Sequence, residues 1–309
     1  MEQLSNYVER LYAQLCEVGR FRTAQAYRSA YQSFATYLDR EATFADIYEN
    51  RIKNYENYLK QRCLTLNSIS FYMRNLRVVY NRAVKNKIIS AQQENPFNQV
   101  YTGIAPTKKR ALSEQEIRAL CRKAGQLEND GLNDAVRLFL FCFYAQGMSF
   151  ADAVFLKKSA VGDKTISYQR RKTGKNIIVA ITAPMQKIID SFAERTAGSD
   201  FVFPFITQGD EKSEYKQYRY ALSKQNRMLK TVCSGAGLER NLSTHAARHS
   251  WASVARNHGL RLTVISTALG HSSESTTQIY LDQLDNSLLA SANETVSSLF
   301  PVNIENRTA

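Results

Sequence analysis

The feature that most constrains this chain is a change of pattern near residue 92. Up to about residue 90, apolar side chains recur at helical spacing, in one stretch from Thr23 to Asp39 (Ala24, Tyr27, Ala30, Tyr31, Phe34, Tyr37, Leu38) and another from Leu66 to Lys87. About four helices account for this part. From Gln92 to Arg110 the periodicity stops and turn chemistry replaces it, with Asn95-Pro96, Gly103, Ala105-Pro106 and the basic run Lys108-Lys109-Arg110. A fresh helix start follows, where Ser113 can cap and Glu116 takes the capping-box position three residues on. A chain of 309 residues can build two cores. The pattern therefore predicts a helical domain over 1–103, a basic linker over 104–111, a second domain over 112–300 and a tail over 301–309.

The second domain opens with helices around 113–126 and 132–146. Its one β signal is the stretch Lys164 to Ile181, two short strands about a Thr173-Gly174 turn. Helices resume from Pro184, including a long one near 215–235 and another from Thr244. The fold class is mainly α with a small β-hairpin. Five cysteines, at 16, 63, 121, 142 and 233, are odd in number and irregular in spacing, with no C-x-x-C, and read as reduced thiols. The first twenty residues place Glu2, Glu9, Arg10 and Glu17 among apolar ones, unlike a signal peptide, and no stretch has the length and apolarity of a membrane span. These features predict a cytoplasmic chain with no membrane partner.

The charge balance asks for a negative partner. Lys and Arg number 41 against 28 Asp and Glu, a formal net charge of +13. Both parts are basic, with 14 cations against 9 acids in residues 1–105 and 27 against 19 in the remainder. Nucleic acid fits such a balance. Arg74, Arg77, Arg82, Lys85 and Lys87 line the late helix of the first part, Arg22 and Arg28 start an earlier one, and Lys108, Lys109 and Arg110 lie in the linker. Contacts from them to phosphates would set affinity and register and not sequence choice. The plain alternative for each is a solvated basic face.

All four histidines fall between His245 and His271, and Tyr280 follows nine positions after the last. His245 and Arg248, three apart on a helix, share a face. A guanidinium can offer parallel N–H groups to two phosphate oxygens, and an imidazole adds a donor. The alternative puts Arg248 in a surface ion pair and His245 at a helix cap. His245 and His249 also form an H-x-x-x-H pair, yet Ala246 stands where a zinc protease places its glutamate and no third ligand is evident, so no metal is expected. His271 lies in Leu269-Gly270-His271-Ser272-Ser273, a turn between two short helices that a ligand could reach. His258, before Gly259, reads as a C-terminal cap, and His249, beside Trp251, as packing. Tyr280 could bury its ring between helices; as a nucleophile it would need cations around its oxyanion.

The arrangement resembles the tyrosine recombinases, or phage integrases. His245 to Ser250 (H-A-A-R-H-S) is similar to the family's H-x-L-R-H-[ST], residues 269–273 (L-G-H-S-S) to L-G-H-x-[ST], Tyr280 falls at the family's spacing, and R-R-K-T-G-K at 170–175 resembles the hairpin whose lysine points at the scissile phosphate. The resemblance implies a helical, SAM-like core-binding domain followed by an α+β catalytic domain. It implies that Tyr280 attacks a DNA phosphodiester to give a 3'-phosphotyrosine, that Lys172 protonates the leaving 5'-oxygen, and that Arg248, His245 and His271 hold the non-bridging oxygens. No cofactor or small-molecule substrate is implied. The implied partner is double-stranded DNA, with a protein monomeric when free and a homo-tetramer on two recombining sites, its helix near 286–300 packing in cis or in a neighbour. Integration, excision or inversion for a mobile element is the implied activity.

One position departs from the pattern. The family's G-x-R-x-S-E is here Gly147-Met-Ser-Phe-Ala-Asp152, which puts Ser149 where an arginine belongs, although Asp152 matches the acidic position. A branch of the family carries G-M-S-F-x-D, often after an arginine, which is Gln146 here. Losing one charge-assisted donor from such a clamp can cost on the order of 100- to 1000-fold in rate. The chain is then a slow recombinase, or borrows a cation such as Arg137 or Lys157, or is an accessory DNA-binding protein that has lost the chemistry. A type IB topoisomerase would share the phosphotyrosine step but fits the domain pattern less well.

Overall fold

The computed structural model describes residues 3–106, 111–207, 209–235, 242–271, 273, 274 and 277. The chain divides into two compact units, Met1–Lys108 and Lys109–Ala309. Among the described residues the protein is mainly helical, with one two-stranded antiparallel sheet.

The first unit holds four α-helices, α1 Leu4–Glu17, α2 Phe21–Leu38, α3 Glu49–Gln61 and α4 Leu66–Lys85. Each buries one stripe: Leu4, Tyr7, Leu11 and Leu15 from α1, Ala24, Tyr27, Ala30 and Phe34 from α2, Ile52, Tyr55 and Leu59 from α3, and Ile69, Met73, Leu76, Val79 and Ala83 from α4. The steps of three and four keep these side chains on one face, so the core follows directly from the sequence period. Phe34 and Tyr55 meet edge to face at 5.1 Å between ring centroids, and the Tyr55 hydroxyl, within 2.7 Å of Ser33 Oγ, is not left unsatisfied in the core. Phe97 and Val100, beyond α4, bury in the same core.

The stretch expected as the linker is therefore fastened in its first part. Tyr101 N–H donates to Glu56 Oε1 at 2.7 Å, Lys53 Nζ to Gln99 O at 2.9 Å, and Ser70 Oγ to Gly103 O at 2.7 Å. Asn67 binds Ala105 twice, giving its Nδ2–H to the carbonyl at 2.8 Å and accepting the amide at 2.9 Å. The turn chemistry in the sequence signals irregular backbone, but that backbone finds its hydrogen-bond partners on α3 and α4.

In the second unit α5, Glu114–Lys123, begins with the expected capping box: Ser113 Oγ accepts from Glu116 N and the Glu116 carboxylate accepts from Ser113 N at 2.7 Å. Helix α6, Asp130–Tyr144, is apolar nearly all round and forms the centre, burying Ala135, Val136 and Leu138 to Cys142. It packs against α5, α8 (Ala183–Ala193), α9 (Glu211–Gly235) and α10 (Ala246–Asn257). The short α7, Phe150–Val154, follows a turn after α6. The hairpin pairs β1, Thr165–Gln169, with β2, Asn176–Ala180, in the register Ile166↔Val179 and Tyr168↔Ile177. Ile166, Ile177 and Val179 face the core. A last described helix, α11, Leu262–Ala268, leads into Leu269-Gly270-His271. No helix among the described residues is long and apolar enough to cross a membrane.

Candidate active site

Helix α10 carries Arg248 inward because the residues around it are small: Ala246, Ala247, Ser250 and Ala252 let the helix lie close to its neighbours. Ser250 Oγ accepts Leu112 N–H at 2.8 Å in the interior and so ties the start of α5 to α10. Arg248 is 3% exposed. Its guanidinium donates to Gly147 O at 2.9 Å and to Leu269 O, and Nη2 lies 3.0 Å from His271 Nε2.

Two glycines make this approach possible. Gly147 has φ +70°, and a Cβ there would stand 3.1 Å from the Cα of Arg248. Gly270 has φ +62°, and a Cβ there would stand 2.8 Å from Ile177 Cδ1 and 3.2 Å from Arg170 Cδ. Both are in the left-handed region and both abut a cation of the site, so a side chain would be strained and crowded at once.

The backbone after α11 gathers three positive side chains on three successive carbonyls. Leu269 O accepts from Arg248, Gly270 O from Arg170 Nη1 at 2.6 Å, and His271 O from Lys175 Nζ at 2.5 Å. Arg170 and Lys175 flank the hairpin turn, and their backbones are bonded to each other, Arg170 N to Lys175 O at 2.8 Å. The turn is also held from α7. Arg171 N–H donates to Asp152 Oδ1 at 2.9 Å, Ser149 Oγ donates to Asp152 Oδ2 at 2.7 Å, and the Arg171 guanidinium stacks on Phe155 at 3.8 Å.

His271 is 7% exposed, with Nδ1 2.7 Å from Thr277 Oγ1. Burial, followed by the charges of Arg248, Arg170, Lys172 and Lys175, lowers its pKa from 6.5 to about 4. At neutral pH the ring is therefore uncharged. The expectation of an exposed turn is corrected here, since the carbonyls of that turn are covered by cations and its ring is packed among them.

Of the residues singled out from sequence, Arg248 and His271 are brought into contact, and Lys172 lies exposed on the hairpin turn, close enough for its charge to act on His271. Arg248 is in the interior, not in a surface ion pair. His245 is exposed at the start of α10, its ring edge to face with His249 at 4.8 Å. His258 is the C-cap of α10 and meets Glu114 at 2.8 Å. Ser149 is the N-cap of α7. In the first unit Arg74 donates to Gly103 O at 3.1 Å, Arg77 reaches Thr102 Oγ1 at 3.5 Å, and Arg82 lies over the Tyr27 ring at 5.7 Å, so all three are partly engaged within the unit. Tyr280, Lys108, Lys109, Arg110 and the segment 286–300 lie outside the described residues. Among the described residues no cluster of His, Cys, Asp or Glu is suited to a metal ion.

Sequence reasoning missed Arg170. The signal was present: Ile166, Tyr168 and Arg170 alternate on one face of β1 and its continuation, and that face is the buried one. An arginine in step with core residues differs from its exposed neighbours Arg171 and Lys172.

Comparison with known proteins gives one answer throughout. The profile of the phage integrase family matches residues 110–287, and that of the phage integrase SAM-like domain matches residues 3–100. The chain is 28% identical over 272 residues to tyrosine recombinase XerD of Shewanella oneidensis, covering 84% of this chain and 85% of that one. It is 26% identical over 281 residues to tyrosine recombinase XerC of Listeria welshimeri, covering 84% and 86%. Among solved structures, the fold is similar to lambda integrase(75-356), a dimer bound to a COC' core site, with TM-score 0.66, 16% identity and coverage of 90% of this chain and 95% of that one. It is also similar to the XerH recombinase bound to palindromic difH, with TM-score 0.64, 18% identity and coverage of 91% and 84%.

Proposed function

The chain belongs to the phage integrase family and is a tyrosine-type site-specific DNA recombinase, and on that premise we propose that Tyr280 is its nucleophile and that Arg248, His271, His245 and Lys172 serve the reaction at one phosphate. In this reading the domains are a core-binding domain over 1–103, a linker over 104–111, a catalytic domain over 112–300 and a tail over 301–309. The matches with tyrosine recombinases over most of the chain favour the enzyme over an accessory DNA-binding protein.

The observation that carries the residue assignment is the buried contact between Arg248 and His271 beneath a hairpin turn rich in cations. Neutralising a phosphate that is gaining charge requires donors aimed beforehand at its oxygens, in a place where water does not compensate them. The phenolic oxygen of Tyr280 attacks phosphorus, the bond to the 5'-oxygen breaks, and Lys172 gives that oxygen its proton, leaving a 3'-phosphotyrosine. A 5'-hydroxyl from a second strand reverses the step, regenerating the diester and the phenol, so the bond energy is conserved. Arg248 holds the non-bridging oxygens, with His245 as a further donor and His271 supporting Arg248, becoming a donor itself only on taking up a proton.

The partner is double-stranded DNA, bound by a homo-tetramer across two sites and by a monomer before that. The basic balance of both parts supports phosphate contacts from Arg74, Arg77, Arg82, Lys108, Lys109 and Arg110. The cytoplasm, where a nucleoid is reached, is the corresponding location, and a mobile element the natural context.

The test is covalent trapping. A randomised pool of nicked duplexes is incubated with the protein and SDS-stable adducts are recovered and sequenced, yielding the cleaved site. Wild type should form the adduct and Tyr280→Phe should not. An adduct that persists in Tyr280→Phe would remove the assignment of the nucleophile; selective binding without any adduct would favour the accessory protein.

A further inference from the structure

We propose that Arg170 supplies the second guanidinium of the site, taking a non-bridging oxygen of the scissile phosphate in place of the arginine that Ser149 replaces. This rests on the function proposed above.

Arg170 is 7% exposed, yet among the described residues no carboxylate lies within ion-pair distance of it. One bond, to Gly270 O, is made through Nη1, while the buried Nε has no hydrogen-bond partner. A buried guanidinium with an unspent donor is costly in a protein alone, because desolvation of the charge is not offset. The cost is recovered when an anion enters, since the planar fork suits two oxygens of one phosphate. The location is specific too: Arg170 and Arg248 donate to neighbouring carbonyls, Gly270 O and Leu269 O, so both guanidinium groups are anchored to the same short piece of backbone.

Other cations fit the vacancy less well. Arg137 is turned toward Asp134 at 4.0 Å, a carboxylate that Arg195 also holds at 2.7 Å. Lys157 is exposed ahead of the short 3-10 helix Lys158–Ala160. Arg171 is stacked on Phe155, and Lys175 is spent on His271 O. Ser149 itself is committed to capping α7 and to Asp152.

The duplex recovered by covalent trapping is resynthesised in two forms, one with the ordinary phosphodiester and one with a methylphosphonate at the scissile position, where an uncharged methyl replaces one non-bridging oxygen. Single-turnover adduct formation is measured for wild type, Arg170→Ala and Arg170→Lys. On the phosphodiester Arg170→Ala should lose about 100- to 1000-fold in rate, with Arg170→Lys in between. On the methylphosphonate the gap between wild type and Arg170→Ala should close to within about tenfold, because the charge that Arg170 neutralises is gone. A merely structural arginine would give the same deficit on both substrates. That result, or an undiminished rate of Arg170→Ala on the phosphodiester, overturns the proposal. Should Arg170→Ala fail to fold, the same comparison is made with Arg170→Lys, whose deficit must shrink on the methylphosphonate. Failure of wild type to form any adduct would instead sink the proposed function.

Discussion

Arg248 Nη2 stands 3.0 Å from His271 Nε2, and a guanidinium can only donate, so the ring nitrogen facing it must accept. The proton of the neutral ring is then on Nδ1, directed at Thr277 Oγ1 at 2.7 Å. In this state His271 supports Arg248 and has no Nε2–H for a phosphate.

Stability should therefore depend on pH through His271. Its pKa is depressed in the folded chain to about 4, against 6.5 for an ordinary imidazole. Above about pH 6.5 the ring is neutral in both states and its contribution is fully present. Between 6.5 and 4 the unfolded chain takes up a proton that the folded chain refuses, so stability falls with falling pH, by at most about 1.4 kcal/mol per pH unit. Urea unfolding across this range should show the slope in wild type and a weaker one in His271→Gln. Equal slopes would remove the effect from this residue.

DNA binding should lessen that depression. Burial, its largest cause, remains, but a phosphate among Arg248, Arg170, Lys172 and Lys175 offsets the charges that add to it, so the pKa rises in part and some proton is taken up. Titration calorimetry at pH 5.5, in two buffers of different ionisation enthalpy, should give net proton uptake with wild type and less with His271→Gln. Proton release, or no difference between the two proteins, would contradict this.

Gly270→Ala should damage the site without unfolding the unit. The φ of +62° costs an alanine roughly 1–2 kcal/mol, and the methyl would stand 2.8 Å from Ile177 Cδ1 and 3.2 Å from Arg170 Cδ, so both side chains must give way. A loss of about 1–3 kcal/mol by urea unfolding is expected once crowding is added, with adduct formation falling as well because Arg170 is displaced. A stability within about 0.5 kcal/mol of wild type would show that the backbone has room to shift.

Glu56 should control how firmly the stretch 99–105 is held. Its side chain is buried, and although burial acts to raise its pKa, the bond from Lys60, the Tyr101 amide and Lys53 together lower it. Glu56→Ala leaves the Tyr101 amide without its acceptor, at a cost of about 1–3 kcal/mol. Hydrogen exchange at Tyr101 should quicken and limited proteolysis between residues 99 and 106 should increase. Unchanged exchange at Tyr101 would mean that this bond does not hold the segment.

Much of the fold was legible because it obeys one period. The three- and four-residue steps of Ala24, Tyr27, Ala30 and Phe34 became the buried stripe of α2, the Ser113/Glu116 pair became a capping box, and the Thr173-Gly174 turn lies between two strands as expected. The family was legible from the spacing of His245, Arg248 and His271, since that pattern is local. The fastening of residues 99–105 was not, because Glu56 and Asn67 act across more than thirty positions and no local rule pairs them. Nor was Arg170 separated from Arg171 and Lys172. In a run of cations only the alternation of the strand tells inside from outside.

The succession of Leu269, Gly270 and His271 carbonyls, each capped by a different positive side chain, makes three contributions to the site mechanically inseparable. A small rotation of that tripeptide would displace Arg248, Arg170 and Lys175 together, so the three charges share one backbone support. Genetic drift can then exchange which side chain brings a charge more readily than it can alter the three peptide groups on which the charges rest.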